Sequence, residues 1–174
     1  MADARYRFEL LGPHHHRADF SCGVELLDRY LRERAGQDVR SHMAAVHVMH
    51  DTEADRIAGF YTLSCAGINP PDLPDAIVRK LPRYPALPAI LLGRLALDAR
   101  YQGQGLGKLL LIHALQLAHE FSEHIGAMAV IVDAKDEDTS RFYQQYDFEP
   151  FTSIEGRLYL LMARIARTYG SVSP

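Results

Sequence analysis

Apolar and polar residues alternate over Arg5–Leu10, with Tyr6, Phe8 and Leu10 on one side, so the chain opens with a strand. The period then changes. Val24, Leu27 and Leu31 recur at helical spacing, Arg29, Arg32 and Glu33 stand off that stripe, and Ser21 is placed as an N-cap. Gly36 is expected to break this helix before a short second one. Met43–His50 and Ile57–Ser64 read as a hairpin around the polar turn Asp51–Asp55. Residues 70–88 hold six of the nine prolines, a density that excludes a central strand but leaves room for a short helix at Asp75–Leu81. Ala89–Leu97 is almost wholly apolar and reads as a strand covered on both faces. Leu106, Leu109, Leu110, Ala114, Leu117, Ala118 and Phe121 form one helical stripe that ends at Gly126. Met128–Val132 follows as a buried strand, which completes a βαβ unit. Asp138–Tyr146 reads as a helix, and Phe148–Phe151 and Leu158–Ala163 as the last strands. The pattern predicts an α/β chain, layered α+β, whose mixed central sheet of six to seven strands is flanked by helices.

Length and composition narrow this picture. With 174 residues, 48% hydrophobic and 24% charged, the chain suits one globular domain over 1–174. No apolar run approaches the roughly 20 residues of a membrane span, and the N-terminus lacks a secretory pattern. Cys22 and Cys65 form no metal spacing and read as reduced core thiols, so a cytoplasmic location is expected. The net charge of −3 removes a bulk signal for nucleic acid and leaves only local clusters. Arg29, Arg32, Arg34 and Arg40 form one; Arg79, Lys80 and Arg83 form another. Either could contact phosphates or be a solvated face. His14, His15 and His16 read as a solvated turn, with metal binding as the minor alternative, and His113 and His119 as ordinary helix-face residues.

The stretch Gln102-Gly-Gln-Gly-Leu-Gly-Lys108 sits between the apolar strand and the leucine-rich helix. A helix start presents unpaired N–H groups with partial positive charge, and glycines keep side chains away from them. Gly103, Gly105 and Gly107 therefore suit a pyrophosphate cradle; a close helix–strand packing turn without ligand is the alternative. The stretch is neither a P-loop nor a dinucleotide fingerprint, because both spacings fail.

Gln102-Gly-Gln-Gly-Leu-Gly107 resembles the Q/R-x-x-G-x-G/A motif of the GCN5-related N-acetyltransferases (GNAT), and the order of elements resembles that fold over nearly the whole chain. Four blocks, at 20–31, 59–64, 91–98 and 140–148, are similar to the acetyltransferase toxins of bacterial toxin–antitoxin pairs. The resemblance implies acetyl-CoA as co-substrate, with its pyrophosphate on Gln102, Gly103, Gln104, Gly105, Leu106, Gly107 and Lys108. It also implies pantetheine and acetyl contacts at Leu95, Ala96 and Leu97. Tyr143 takes the place of the tyrosine that serves the coenzyme sulfur, with Tyr146 a weaker rival. An aminoacyl-tRNA acceptor and a small DNA-binding antitoxin are the implied partners. A homodimer is compatible with the sequence and not required by it. A related enzyme for a small amine or a protein N-terminus, and a non-catalytic CoA-binding module, are the alternatives.

The strand Ala89–Leu97 carries no carboxylate where many members of that family hold a glutamate; the first acid is Asp98. Arg94 stands there instead and cannot take a proton, though it could attract a phosphate or carboxylate of the substrate or pair with a nearby acid. With Arg29, Arg32, Arg79 and Lys80 it makes up the candidate substrate-binding set. A site without a strong base favours an amine already largely neutral. An α-amine titrates near 7.7–8.0 and a lysine near 10.4, a difference worth about 3.4 kcal/mol of deprotonation. An aminoacyl ester therefore fits better than a lysine or a polyamine.

Overall fold

The computed structural model describes residues 5–170. Seven strands form one sheet in the order β1-β2-β3-β4-β5-β7-β6. They are β1 (Tyr6–Leu10), β2 (Ala45–Asp51), β3 (Arg56–Ile68), β4 (Leu87–Leu97), β5 (Ala129–Asp133), β6 (Glu149–Pro150) and β7 (Arg157–Leu161). β1 pairs antiparallel with β2, β2 with β3, and β7 with both β5 and β6, while β4 and β5 run parallel. A parallel pair needs a long crossover, and α4 (Leu106–Ile125) supplies it. The other helices are α1 (Glu25–Arg29), α2 (Ala35–Arg40), α3 (Asp75–Val78), α5 (Glu137–Gln144) and α6 (Met162–Tyr169). The expected mixed sheet with flanking helices is present.

The chain divides into two compact units, one running to Ser64 and including Gly93–Ala114, the other comprising Cys65–Leu92 and the residues from Leu115 on. In the first, Phe20, Tyr30, Leu31, Ala35, Val46, Val48, Ile57, Phe60 and Ala96 form the core. In the second, Ile68, Leu73, Leu87, Ala89, Ala129, Ile131, Phe151 and Tyr159 do so.

Several local expectations are corrected. Ser21 caps nothing: α1 begins after Val24 without a side-chain cap, and the Asp28 carboxylate reaches back to the Cys22 N–H at 2.8 Å. Gly36 does not break the helix. A π-helical stretch, Tyr30–Arg34, joins α1 to α2, and Gly36 lies inside α2. A side chain there would meet the guanidinium groups of Arg17 and Arg40 at 3.2 Å. The hairpin turn is shorter than expected because Asp51 still pairs with Arg56. Its carboxylate accepts the Glu53 and Ala54 N–H groups and so shapes the turn. Pro88 lies within β4, near its start, where a missing N–H is tolerated. The buried face of α4 is Leu110, Leu111, Ala114, Leu115 and Ala118, whereas Leu109 and Phe121 are exposed. Leu10 is likewise exposed, and the helix after the prolines ends at Val78. The expected last strand stops at Leu161, because Met162 opens α6, an element the apolar run LYLLMA concealed. No described helix is long and apolar enough to cross a membrane.

Candidate active site

β4 leaves the sheet at Leu97 and enters a braced turn. Asp98 is 1% exposed. Its carboxylate accepts the N–H groups of Ser21 at 3.1 Å and Arg100 at 2.9 Å, and two further bonds from the Arg100 guanidinium at 2.9 and 2.8 Å. Burial alone would raise the Asp98 pKa, but Arg100 and these N–H groups hold it below the ordinary value. Asp98 is thus a fully committed structural anion, not a base. The Gln102 side-chain amide donates to the carbonyls of Leu97 at 2.9 Å and Cys22 at 3.0 Å. Gln102 therefore braces the turn through its side chain, and Gln104 adds a bond to the Arg100 carbonyl at 3.3 Å.

The opposite side of the turn is bare. Gly103 and Gly105 have φ of +79° and +77°, and nothing lies within 4 Å of where a Cβ would stand on either. Gln102 through Gly105 and Lys108 are exposed, whereas Leu106 and Gly107 are half-buried. The first N–H groups of α4, a 20-residue helix, lack intrahelical acceptors, and the residues that lead into them are exposed. The arrangement offers an anion a dipole, unpaired donors and free access. Just upstream, Leu95 and Leu97 are half-buried and Ala96 is buried.

Arg94 precedes these residues on β4. Its guanidinium carbon lies 3.5 Å from the centroid of the Tyr30 ring. Tyr30 is buried, and its hydroxyl donates to Asp38 at 2.8 Å. Among the described residues no carboxylate pairs with Arg94, so the acid partner left open by the sequence is not found. Tyr30 stands three residues after Leu27, and its N–H donates to the Leu26 and Leu27 carbonyls; it was not foreseen as a partner of Arg94, because nothing in the local spacing links the two.

The basic clusters differ in character. Arg29 pairs with Glu33 at 3.6 Å, and Arg32 pairs with Glu25 at 3.4 Å while donating to the Phe20 carbonyl. In the second unit Arg79, Lys80 and Arg83 are exposed. Tyr143, also in that unit, is buried beside Phe142 and Phe148, and burial pushes its pKa well up. Its hydroxyl makes no hydrogen bond among the described residues, so it remains a free protonated donor.

The histidines are more structured than expected. His15 is buried, not a solvated turn residue. Glu9, His14 and His15 bring ligand-type atoms within 4.8 Å of one another. Yet the Gly12 N–H donates to His15 Nδ1 at 2.9 Å, which leaves the proton on Nε2, directed at Glu9 at 2.6 Å. The His15 ring therefore has no lone pair to offer a metal in this arrangement. His113 stacks on Phe8, with centroids 3.8 Å apart, and its Nδ1 lies 2.8 Å from the Tyr61 hydroxyl. His47 packs against Tyr61 with a buried Nε2 that has no partner. His119 likewise has a buried Nδ1 without a partner. Cys22 is half-buried, with its thiol pushed up to about 11 by burial and then by Asp28, and Cys65 is exposed rather than a core residue.

A parallel β–α–β crossover opened by a bare glycine turn defines a class: enzymes that hold a phosphate-bearing coenzyme at a helix start within a mixed sheet. A family model described as "Acetyltransferase (GNAT) domain" matches residues 42–150, more than half of the chain. The chain belongs to the GNAT acetyltransferase family. It is 36% identical over 144 residues to a tRNA-acetylating toxin of Mycobacterium tuberculosis, covering 82% of this chain and 84% of that one. It is 31% identical over 175 residues to a probable toxin TacT of Sinorhizobium fredii, covering 96% and 97%. AtaT, solved in complex with acetyl-methionyl-tRNAfMet, superposes with a TM-score of 0.86 at 27% identity over 93% of this chain and 98% of that one. A second structure, AtaTR bound with acetyl-CoA, superposes with a TM-score of 0.82 at 26% identity, covering 93% and 96%.

Proposed function

We propose that this acetyltransferase moves the acetyl group of acetyl-CoA to the α-amine of an aminoacyl-tRNA, acting in the cytoplasm as the toxin of a toxin–antitoxin pair. The observation that carries the reading is the bare turn at Gly103 and Gly105, open at the start of α4 and braced from behind by Asp98 and Gln102. It fits the coenzyme pyrophosphate, with Gly103–Lys108 as its contacts. The relatives named above supply the acceptor and the toxin role. The absence of a free carboxylate on β4 points the same way, because Asp98, the nearest acid, is fully bonded and cannot accept the proton of a lysine ammonium.

Tyr143 is the proposed donor to the departing coenzyme sulfur. Its raised pKa keeps the phenol protonated, and lies further above the roughly 8.5 of a thiol than a free tyrosine does. Tyr143 therefore stabilises the departing thiolate by hydrogen bonding while the C–S bond breaks, and the proton that the amine loses as the amide C–N bond forms ends on that sulfur to give the free thiol. Leu95, Ala96 and Leu97 would aim the acetyl carbonyl from the end of β4. Within the candidate set, Arg94, Arg79 and Lys80 make no ion pair among the described residues and are the proposed contacts to RNA phosphates, whereas Arg29 and Arg32 must first leave Glu33 and Glu25. A small DNA-binding antitoxin is the proposed protein partner.

Transfer from radiolabelled acetyl-CoA to charged tRNA, run beside a lysine peptide and a free amino-acid ester, tests the reading. Acetylated aminoacyl-tRNA with little label on the peptide is the expected result. A preference for the lysine peptide at neutral pH would overturn it.

A further inference from the structure

Arg94 carries a full charge on β4, one residue before the stretch proposed to present the acetyl group, and none of the described ion pairs or hydrogen bonds uses it. A half-buried guanidinium without an acid is costly unless something offsets its lost water. The face of Tyr30 does so at 3.5 Å. Tyr30 is itself held on several sides. Its hydroxyl is anchored on Asp38 at 2.8 Å, its ring packs near-parallel to Phe60 with centroids 6.3 Å apart, and Phe60 is met edge-on by Phe20. The backbone widens directly after Tyr30. The Ala35 N–H donates to the Tyr30 carbonyl five residues back, the widened turn of a π-helix, and such turns recur at functional sites. Stacking occupies the face of the guanidinium and leaves its N–H edge free, the edge that bonds phosphate oxygens in pairs.

We infer that Tyr30 is a positioning residue. It holds the Arg94 guanidinium so that its N–H edge bonds a phosphodiester group near the reacting end of the RNA acceptor. The inference rests on the aminoacyl-tRNA reading given above. A phosphodiester is preferred to a protein carboxylate because Arg94 adjoins the residues at which the acceptor must react, and the anionic groups nearest an aminoacyl ester are backbone phosphates.

The test measures steady-state acetylation of charged tRNA by the Tyr30→Leu, Tyr30→Phe, Arg94→Gln and combined Y30L/R94Q proteins. Fluorescence anisotropy of a short RNA ending in CCA gives binding without turnover, and thermal melts with acetyl-CoA calorimetry confirm folding. Tyr30→Leu and Arg94→Gln are each expected to weaken RNA about tenfold, the loss falling on KM rather than kcat. The combined protein should be no worse than R94Q, and the Arg94→Gln salt slope should fall by about one. Tyr30→Phe, which keeps the ring, should stay within about twofold of the parent and guards against a folding artefact in Tyr30→Leu. A merely structural Tyr30 would add its loss in the combined protein, and that result would overturn the inference. So would unchanged RNA affinity in Arg94→Gln, or a loss confined to binding of an acidic protein partner. If RNA binding depends on both residues yet charged tRNA is not acetylated, the positioning inference stands and the acceptor reading fails.

Discussion

Acidification from pH 7.5 to 5 should destabilise the protein through two imidazoles before any carboxylate titrates. His47 is 8% exposed and its pKa is pushed down to about 4 by burial, with a smaller contribution from the charge of His113. Burial also lowers His113 to about 4. A free histidine titrates near 6.5, so the unfolded chain binds protons that the folded chain refuses. The contribution is fully present above about pH 6.5, falls as pH drops, and is exhausted near pH 4. For His47 the loss between pH 6.5 and 5 spans about 1.5 units, or about 2 kcal/mol. His113 is only half-buried and better screened, so it adds less. Its Nδ1 lies 2.8 Å from the Tyr61 hydroxyl, and protonation fixes that nitrogen as the donor of the pair. Asp51, whose pKa is depressed chiefly by Arg5 and further by Tyr101, enters only below the ordinary carboxylate range. Urea unfolding at half-unit pH steps reads the effect directly, with a constant m-value as the check on two-state behaviour. In His47→Phe, which keeps a ring against Tyr61, the slope should fall by about 1.4 kcal/mol per pH unit. A flat profile from pH 7 to 5, or an unchanged slope in His47→Phe, would refute the reasoning.

Gly105→Val should place a branched side chain at a φ of +77° in the open space reserved for the coenzyme. Calorimetry is expected to show at least a tenfold weaker affinity for acetyl-CoA, beside a stability loss of about 1–2 kcal/mol in thermal melts. Tyr143→Phe should leave coenzyme affinity intact and lower the single-turnover rate of transfer about a hundredfold, since the ring packing survives and only the free donor is lost.

The parts legible from sequence were those with a local cause. The βαβ unit could be read because an apolar run, a glycine cluster and a helical stripe follow one another in order, and β4, α4 and β5 lie where these do. The misplaced details share one physical origin. Leu109 fits a helical stripe by spacing, yet the burying surface selected Leu110 and Leu111 instead. The run LYLLMA carries no signal at Leu161, where the chain turns from strand to helix. His15 looked like one of three solvated neighbours, and only the fold of its own loop sets Gly12 and Glu9 around its ring.

What the sequence by itself determined is the repeat of each element, the bare turn between Gln102 and Gly107, and a strand before it without a carboxylate. These follow from residue type and spacing, because periods of two and 3.6 and the missing glycine side chain are properties of neighbouring residues. What only the tertiary structure decided is how the special side chains are used. Arg94 meets Tyr30 across 64 positions of chain, Asp98 takes the Ser21 N–H across 77, and Tyr101 reaches Asp51 across 50. Whether an arginine is free, an acid committed or a histidine neutral depends on such partners and on the water they exclude, and burial is set only when distant segments meet.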